Sequence, residues 1–245
     1  MGNNIVVYTA IFGDYDDLLP QVKLQGVDFI CFTDRPFKSK IWKIVKIDTE
    51  FQDMARDNRK IKILAHRYLP EYDYSIFMDG NFLIKKKALD LIRELDKHKM
   101  LVFDHAQCSD ARDCIYEELE AILEEKRKTG KEKDDPQTMI NQIGRFKKEG
   151  YPPANGLISG GVLIRRHLDA EVMKVMESWW KVIETGSKRD QLSFNYVAWK
   201  HQFPFKYISG DIRNNEYFTM IGKPRASYKG KYFRYRLKKF FGLKK

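Results

Sequence analysis

The chain has 245 residues, a length that fits one large α/β domain or two small ones. Its 43% apolar and 32% charged residues are typical of a globular protein, and no uninterrupted apolar run approaches the ~20 residues of a membrane-spanning helix. The net charge of +11 is uneven, because residues 229–245 contain eight cations and no acid, which leaves about +3 for the other 228 residues. This distribution argues against a nucleic-acid-binding surface over the whole protein.

The N-terminal segment and the cysteines bear on where the protein works. Residues 1–13 have no basic flank and pass directly into a strand pattern, so we expect no signal peptide. The cysteines Cys31, Cys108 and Cys114 show neither metal-ligand spacing nor a catalytic Cys/His signature. We therefore expect reduced thiols and a cytoplasmic protein.

Two short strands open the chain, and each ends in acidic turn residues. Residues 5–11 form an apolar, β-branched run that stops at Phe12-Gly13-Asp14, and residues 29–32 form a second run that stops at Thr33-Asp34. A third strand is predicted at 42–47. Acidic groups are therefore expected where the first strands end.

The next segment carries the most informative pattern for a site. On a helix, Arg59 and Lys62 share one face, opposite an apolar face. Residues 74–78 then form an apolar run typical of a strand covered on both faces, and Asp79-Gly80-Asn81 follows at its carboxyl end, where open α/β sheets bind ligands. Cations beside a strand-end carboxylate suit a metal-chelated diphosphate. A solvated helix face followed by an ordinary turn explains the same residues.

Strands and helices alternate through the rest of the chain. The remaining predicted elements are a helix at 88–95, a strand at 100–103 that ends in Asp104-His105, helices at 111–128 and 137–148, a strand at 157–165 with the pair Gly160-Gly161, and helices at 172–183 and 187–200. This alternation predicts an α/β domain with a mixed, mostly parallel sheet flanked by helices. We place this single domain at residues 1–227 and a basic, aromatic tail at 228–245.

Several spaced motifs, taken in their order along the chain, resemble one known family. YTAIFGDYD is followed by FICFTD, by NRKIKILAH with YDYSIFMDGN, by a Trp-Trp helix and by Arg189-Asp190-Gln191. Over about residues 5–205 this order resembles the DUF616 (TOD1/MUCI70-like) glycosyltransferase family and the wider GT-A plan. The resemblance implies a GT-A fold, a Rossmann-like sheet that binds a nucleotide-sugar.

The resemblance also assigns roles to residues. The first strand and its loop, with Asp34, would hold the nucleoside, and Asp79-Gly80-Asn81 would take the place of the DXD motif that binds ribose and a divalent metal. Arg189-Asp190-Gln191 would lie near the reacting sugar. With the cationic helix face and the glycine pair added, the predicted nucleotide-sugar-binding residues are Thr9, Ala10, Phe12, Gly13, Tyr15, Asp34, Arg59, Lys62, Asp79, Gly161 and Gln191.

The predicted metal is Mn²⁺ or Mg²⁺, with Asp79 and Asn81 as its ligands. Two features depart from the family pattern. Asn81 is neutral and is a weaker ligand for a hard cation than a carboxylate. The tail lacks the histidine that many GT-A enzymes supply as a further ligand, since His201 lies upstream of the expected place. The sequence therefore supports the fold more strongly than the metal.

Glycosyl transfer passes through an oxocarbenium-like state while a nucleoside diphosphate leaves with growing negative charge. A metal on Asp79 would act as a Lewis acid, and Arg59 and Lys62 could contact the diphosphate directly. The alternative is that these two cations pair with surface acids such as Asp53 or Asp57.

Asp190 is the candidate general base for the acceptor hydroxyl. The segment from Ser187 to Asp190 also fits a capping box, with Asp190 in the place of glutamate at N3. An acceptor pocket is predicted around His105, with Arg112, Glu117 and Glu118 shortly after it, although His105 fits a loop histidine with satisfied hydrogen bonds equally well.

The predicted function is transfer of a sugar from a nucleotide-sugar to a hydroxyl of a glycan acceptor, lipid-linked, in polysaccharide or cell-surface glycan biosynthesis. The tail interleaves aromatic and leucine side chains with its eight cations, which predicts peripheral attachment to an anionic membrane surface; a solvated helix or a frayed end fits the same composition. One alternative function is a non-catalytic module of the same fold that binds a nucleotide-sugar or glycan. Another is a single-stranded nucleic-acid platform formed by the tail, although we expect no nucleic-acid partner.

Overall fold

The computed structural model describes residues 4–222 and 228–241. Its strands are β1 (Ile5–Ile11), β2 (Val27–Thr33), β3 (Lys43–Lys46), β4 (Tyr74–Met78), β5 (Phe82–Ile84), β6 (Met100–Asp104), β7 (Ile158–Arg165), β8 (Lys206–Ile208) and β9 (Phe218–Met220). Its α-helices are α1 (Met54–Ile63), α2 (Ala65–Tyr68), α3 (Asp90–Glu94), α4 (Ile115–Thr129), α5 (Pro136–Lys148), α6 (Ala170–Thr185), α7 (Phe194–Lys200) and α8 (Tyr228–Phe240).

Seven strands form one sheet in the order β3-β2-β1-β4-β7-β6-β8. β1 is parallel to β2 and β4, β2 to β3, and β6 to β8, whereas β7 runs antiparallel between β4 and β6. The predicted class, a mixed and mostly parallel sheet flanked by helices, is confirmed. The carboxyl ends of β1, β2, β4 and β6 lie along one edge, together with the first residues of β7.

The two faces of the sheet bury separate hydrophobic cores. Along β1, Tyr8 points into one core and Val7 into the other, as the two-residue period of a strand requires. Apolar residues of α1 and of α4 to α7 cover the first face. The second face is covered by α3 and by the small antiparallel sheet of β5 and β9. Burial on both faces explains why β1 and β4 are continuous apolar runs.

Both ends of α1 are held by side chains. The Asp53 carboxylate accepts the Ala55 backbone N–H at the N-terminus. At the other end, the fully buried Arg165 guanidinium donates to the carbonyls of Lys62 and Ile63, at 2.8 and 3.1 Å. These carbonyls belong to the last turn of the helix, where backbone acceptors lack helical partners. The end of α1 that carries Lys62 is therefore fixed against the sheet.

Three helix boundaries differ from the sequence prediction. The helix predicted at 187–200 is a 3₁₀ turn at Asp190–Leu192 followed by α7. The helix predicted from 111 begins at Ile115, and the one predicted at 88–95 is a 3₁₀ turn followed by α3. Gly130 ends α4 in the left-handed conformation, with φ of 68°, as predicted for a helix stop.

The C-terminal tail is helical where it is described. The predicted boundary at 227 lies outside the described residues, as do residues 242–245, so the domain assignment stays a prediction. Within residues 4–222 and 228–241, no helix combines the length and the hydropathy that crossing a membrane requires. Cys31, Cys108 and Cys114 are free and buried.

Candidate active site

The loop after β1 is tied to the end of β2. The Gly13 backbone N–H donates to both carboxylate oxygens of Asp34, at 3.0 and 3.1 Å, and Gly13 has a φ of 57°, which favours glycine. Arg35 pairs with Asp14 at 2.7 Å and donates to the Asp16 carbonyl at 2.6 Å. The loop and Asp34, both predicted to hold the nucleoside, are therefore neighbours.

The predicted residues of β1 itself lie beneath this loop. Thr9, Ala10 and Phe12 are each at most 2% exposed, and the Ala10 carbonyl accepts a hydrogen bond from the Asn58 side chain. Their side chains support the loop from the core. Tyr15, by contrast, is 48% exposed and stands at the rim.

A group of charged side chains, here called the strand-end cluster, lies beside the end of β4. It consists of Arg59, Lys62, Asp79, Arg189 and Asp190. The Lys62 ammonium donates to the Asp190 carboxylate, and Arg59 Nε lies 3.6 Å from the same oxygen. Lys62 is 1% exposed. The helix face that the sequence identified therefore points into the protein.

The pairing of Arg59 and Lys62 with Asp53 or Asp57 is wrong. Asp53 receives Lys188 at 2.9 Å and caps α1, and Asp57 accepts the backbone N–H groups of Glu50 and Phe51. Both acids therefore have other partners.

The two glycines of β7 lie where its register with β6 shifts, and they border the cluster. A Cβ on Gly160 would lie 3.0 Å from an Asp190 carboxylate oxygen and 3.2 Å from Lys62 Nζ. A Cβ on Gly161 would lie 3.3 Å from an Asp79 carboxylate oxygen, and the Gly161 carbonyl accepts the Asp79 backbone N–H at 2.9 Å. A Cβ at either position would make the charged groups shift by a few tenths of an ångström.

The two carboxylates of the cluster have pKa values shifted in opposite directions. Burial raises the pKa of Asp79, and the nearby Lys62 and Arg59 only partly offset it. Burial acts on Asp190 in the same sense, but Lys62, Arg59 and Arg189 outweigh it and hold the pKa of Asp190 well below its ordinary value. Asp190 is therefore the fixed anion, and Asp79 is the carboxylate whose burial the nearby cations do not fully compensate.

The capping-box interpretation of Asp190 is wrong. The Ser187 N–H donates to Gln142 at 2.9 Å and the Ser187 hydroxyl donates to Asp134 at 2.6 Å, while Asp190 directs its carboxylate to Lys62. Asp190 thus begins a 3₁₀ turn with its carboxylate directed to Lys62, and it forms no capping box with Ser187. A depressed pKa weakens it as a base in this arrangement.

Gln191 and Arg189 connect the cluster to β7 and α4. The Gln191 side-chain amide donates to the Ile158 carbonyl at 2.9 Å and accepts from Arg189 at 3.4 Å. Arg189 also lies 3.5 Å from the buried carboxylate of Glu118. Gln191 therefore positions its neighbours through the start of β7.

The predicted acceptor-side residues are only partly brought together. Arg112 donates to Glu118 at 2.6 Å and to Nε2 of the buried His105 at 3.0 Å. Burial, and then the Arg112 charge, lower the pKa of His105. Glu117 is exposed and accepts the Asp113 backbone N–H at 3.2 Å. Of the two glutamates named from the sequence, Glu118 is therefore the one that points inward.

The predicted metal ligands offer two oxygens. The Asn81 amide nitrogen donates to the Gly222 carbonyl at 2.8 Å, and its oxygen is buried without a hydrogen-bond partner. This unpaired amide oxygen and the carboxylate of Asp79, two residues earlier, are oxygen ligands of the kind that Mg²⁺ and Mn²⁺ prefer. The residues present therefore fit such a cation.

A second group with metal-ligand chemistry fits a cation less well. The ligand atoms of His105, Cys108 and Asp110 lie within 4.8 Å of one another. Arg112 already donates to His105, and Arg213 pairs with Asp110. Burial raises the pKa of the Cys108 thiol, which keeps it protonated. Two guanidinium groups thus occupy the acceptors that a metal would need.

One residue of the candidate site, Arg165, was missed from the sequence, and it holds the end of α1. Glu118 and Gly160 were named but their contacts were not: Glu118 joins Arg112 to Arg189, and Gly160 leaves space for the Lys62–Asp190 pair. A charged residue at the inner end of an otherwise apolar strand was the available signal for Arg165. No sequence signal distinguished Glu118 from its neighbours.

Known proteins resemble this chain over most of its length. The model of the TOD1/MUCI70 glycosyltransferase-like domain family matches residues 31–210. The chain is 23% identical over 221 aligned positions to the probable hexosyltransferase MUCI70 of Arabidopsis thaliana, covering 79% of this chain and 37% of that relative. It thus spans little more than a third of the curated protein's length.

One solved structure aligns with most of this chain. Mouse xyloside xylosyltransferase 1, in its apo form, aligns with a TM-score of 0.46 at 11% identity, over 84% of this chain and 85% of that one. The family match, by contrast, covers well over half of the chain and includes β4, the strand-end cluster and β7. The chain therefore belongs to the TOD1/MUCI70 glycosyltransferase-like family.

Proposed function

We propose that this chain transfers a sugar from a nucleotide-sugar to a hydroxyl group of a glycan. The observation that carries the proposal is the strand-end cluster, in which three cations converge on Asp190 beside Asp79. Family membership supports the reaction class. The position agrees with it, since ligands of open α/β sheets bind at the carboxyl ends of parallel strands.

The leaving group explains the excess of positive charge. A nucleoside diphosphate departs with growing negative charge, and Lys62, Arg59 and Arg189 exceed the two carboxylates of the cluster by one charge. Arg59 supplies a planar fork for two phosphate oxygens and Lys62 a compact point charge. Tyr15, at the rim, and the loop held by Asp34 would border the nucleoside.

Asp190 is proposed to position these cations first and to accept the hydroxyl proton second. Its pKa is held low by Lys62, Arg59 and Arg189, the same groups that a diphosphate would engage. A bound diphosphate would share their charge, so the pKa of Asp190 would rise towards its ordinary value. Donor binding would thus make Asp190 a better base at the step that needs one.

Asp79 and Asn81 would hold Mn²⁺ or Mg²⁺. When bound, the cation would supply Lewis-acid stabilisation of the diphosphate. The chain's own contribution is to keep the Asn81 oxygen unpaired, through the bond of its amide nitrogen to Gly222, and to place Asp79 against Gly161.

The acceptor is proposed to enter from the side of His105 and Arg112. These residues connect through Glu118 to Arg189 of the strand-end cluster, so the two sides share one network of hydrogen bonds. A lipid-linked glycan, made in polysaccharide or cell-surface glycan biosynthesis, is the proposed acceptor class.

Hydrolysis of donors without acceptor tests the proposal. A panel of nucleotide-sugars with Mn²⁺ should yield nucleoside diphosphate slowly with the wild-type protein, and Asp79→Ala should abolish the release while the melting temperature changes little. Asp73→Ala is the matched control, because Asp73 is exposed at the opposite end of β4. Activity of Asp79→Ala within a few-fold of wild type would contradict the assignment.

The same assay separates an enzyme from a binding module. A non-catalytic module of this fold would bind a nucleotide-sugar without releasing diphosphate from any donor of the panel. The neutral ligand Asn81 is the feature that favours this second candidate. Asn81→Asp should preserve or tighten Mn²⁺ binding if Asn81 is a ligand, and total loss of binding would show that its amide serves geometry instead.

We also propose that α8 attaches the protein to an anionic membrane surface on the cytoplasmic side. Tyr232 and Tyr235 pack on a small apolar cluster of Leu19, Leu83 and Ile221. The opposite face exposes Phe233, Leu237, Phe240 and Phe241, at 40–83%, spaced as one helical stripe. Exposed cations flank this stripe, as in helices that lie in a membrane interface.

A further inference from the structure

An elongated groove of about 710 Å³, here called the aromatic groove, lies beside β8 and the end of α7. Its walls are aromatic, with Trp199, Phe203, Phe205 and Tyr207, and its rim carries amide and charged groups. The groove includes no residue of the strand-end cluster. Its size is within the range of small-molecule sites.

Two strained residues line this groove. Ala154 and Gln202, with φ of 49° and 50°, are the only non-glycine residues of the described chain with positive φ. Such a conformation costs ~1–2 kcal/mol for a residue with a Cβ. Strain of this kind clusters where a ligand is bound.

Gln202 takes its positive φ at the end of α7, at a position where a glycine would carry no strain. It follows the last residues of α7, where the Phe203 N–H bonds to the Ala198 carbonyl at 2.9 Å and the Gln202 N–H to the Trp199 carbonyl at 3.0 Å. This is the helix-ending arrangement in which glycine is strongly preferred. The Gln202 side chain is exposed, so it gains no core packing that would offset the cost.

The aromatic groove is connected to the strand-end cluster by β7. Asn195, in the wall of the groove, accepts the Ile158 N–H at 3.0 Å and donates to the Tyr207 hydroxyl at 3.0 Å. The Ile158 carbonyl accepts from Gln191, the neighbour of Asp190. Gly156 lies on the rim of the groove and Gly160 lies beside the strand-end cluster. They are four residues apart, so at ~3.3 Å per residue they lie at most ~13 Å apart.

We propose that the aromatic groove binds the acceptor glycan some sugar units away from the reacting hydroxyl. Half-buried aromatic rings offer flat apolar faces to the C–H faces of sugar rings, and the amide rim offers partners for hydroxyl groups. The proposal rests on the proposed function, because it names a substrate subsite for that transfer.

Tryptophan fluorescence reports on this groove selectively. Trp42, Trp179 and Trp180 are at most 4% exposed, whereas Trp199 is half-buried in the groove wall. Quenching by acrylamide should therefore come from Trp199. We expect that one or more of a panel of cello-, xylo-, manno- and galacturono-tetrasaccharides protects Trp199 from quenching, and that Trp199→Phe abolishes the protection signal.

Gln202→Gly is the decisive variant, because it removes the side chain and relieves the strain together. Its melting temperature should stay level or rise, while its affinity for the protecting oligosaccharide should fall about fivefold, the loss of one hydrogen bond. His201→Ala is the matched control, since His201 is adjacent but does not line the groove, and it should bind like the wild type. Equal affinity in Gln202→Gly and wild type would overturn the proposal.

Further outcomes separate this proposal from the proposed function. No protection by any oligosaccharide of the panel would overturn the proposal, as would stronger protection by short apolar peptides. Asp79→Ala should keep the protection while it loses donor hydrolysis. If the wild type shows protection but no donor hydrolysis, the groove assignment stands and the proposed function is contradicted. If it shows donor hydrolysis but no protection, the proposed function stands and the groove assignment is contradicted.

Discussion

Two cationic regions of this chain hold their charges in different ways. In the strand-end cluster, Lys62 is 1% exposed and bonded to Asp190 from a distant part of the chain. In α8, Arg234, Arg236 and Lys238 are exposed to solvent. Salt screens exposed charges over about 10 Å at 0.1 M and buried pairs much less. The first region can therefore fix a geometry, and the second can provide only a diffuse attraction.

Lys62→Met should have the largest effect, because it removes the buried partner of Asp190. Removing one partner of a buried ion pair costs ~3–5 kcal/mol, so the melting temperature should fall by roughly 10 °C. Thermal unfolding monitored by circular dichroism measures this. Lys60→Met is the matched control, two residues earlier on α1. It removes an ion pair with the exposed Glu50 and should cost about 1 kcal/mol or less.

The double variant Lys62→Met/Asp190→Leu sharpens the comparison. If the loss in Lys62→Met comes from the stranded carboxylate, replacing that carboxylate should recover much of the stability. Equal stability of the single and double variants would show that Lys62 matters through its packing over the Phe77 ring instead.

Asp190→Asn should lower both the transfer rate and the stability. Loss of a general base reduces the rate by ~10²–10⁴, and the variant leaves Lys62 without its anion. The folded-state pKa of Asp190 lies below its unfolded value, so its carboxylate contributes stability above the unfolded value, and the contribution is lost as pH falls through the folded one. The difference in melting temperature between wild type and variant should therefore be largest at pH 7 and decrease below about pH 4. A gap independent of pH would contradict this.

Asp79→Asn should change stability in the opposite direction. Burial raises the pKa of Asp79 in the folded protein, so ionisation above that value costs stability, and the cost is absent below the unfolded value. At pH 7 the variant should be more stable by about 1 kcal/mol or less, as found when strained functional groups are removed. Donor hydrolysis should be lost at the same time. Calorimetric scans at pH 4 and pH 7 check the sign.

Much of the fold was predictable because a strand that is buried on both faces of the sheet has an unbroken run of apolar residues. β1 and β4 were located in this way, and the helices of the first core through their apolar stripes. β5, β8 and β9 were missed, because three residues carry no period. The antiparallel insertion of β7 between β4 and β6 is a matter of long-range pairing, which no local pattern encodes.

The residues of the strand-end cluster could be named from the sequence, but their contacts could not. Lys62 and Asp190 were each identified, yet 128 positions separate them and their pairing depends on β7 lying beside β4. The first part of the helix predicted at 187–200 is absent for the same reason, since Asp190 turns to Lys62 and only a 3₁₀ turn precedes α7. Glu117 and Glu118 were both named, but which of them points inward depends on the start of α4, which lies four residues later than predicted.

The α8 helix should give the smallest effect and the one most sensitive to salt. Each cation near an anionic surface contributes ~1 kcal/mol, which is lost within a Debye length as salt rises, and the exposed phenylalanines add interfacial burial. We expect the protein to sediment with phosphatidylserine vesicles at low salt and to be released at high salt. Phe233→Ser/Phe240→Ser should weaken sedimentation without changing the melting temperature, because both rings are exposed, at 63% and 83%.

Tyr232→Ser/Tyr235→Ser is the matched control on the other face of α8. These tyrosines pack on Leu19, Leu83 and Ile221, so their loss should loosen the helix from the domain while the exposed stripe stays intact. Equal loss of vesicle binding in both double variants would show that attachment needs the docked helix rather than the stripe. We expect the affinity of the strand-end cluster for a nucleoside diphosphate to fall far less over the same range of salt than vesicle binding does. Vesicle sedimentation that does not change with salt would contradict this difference between the two regions.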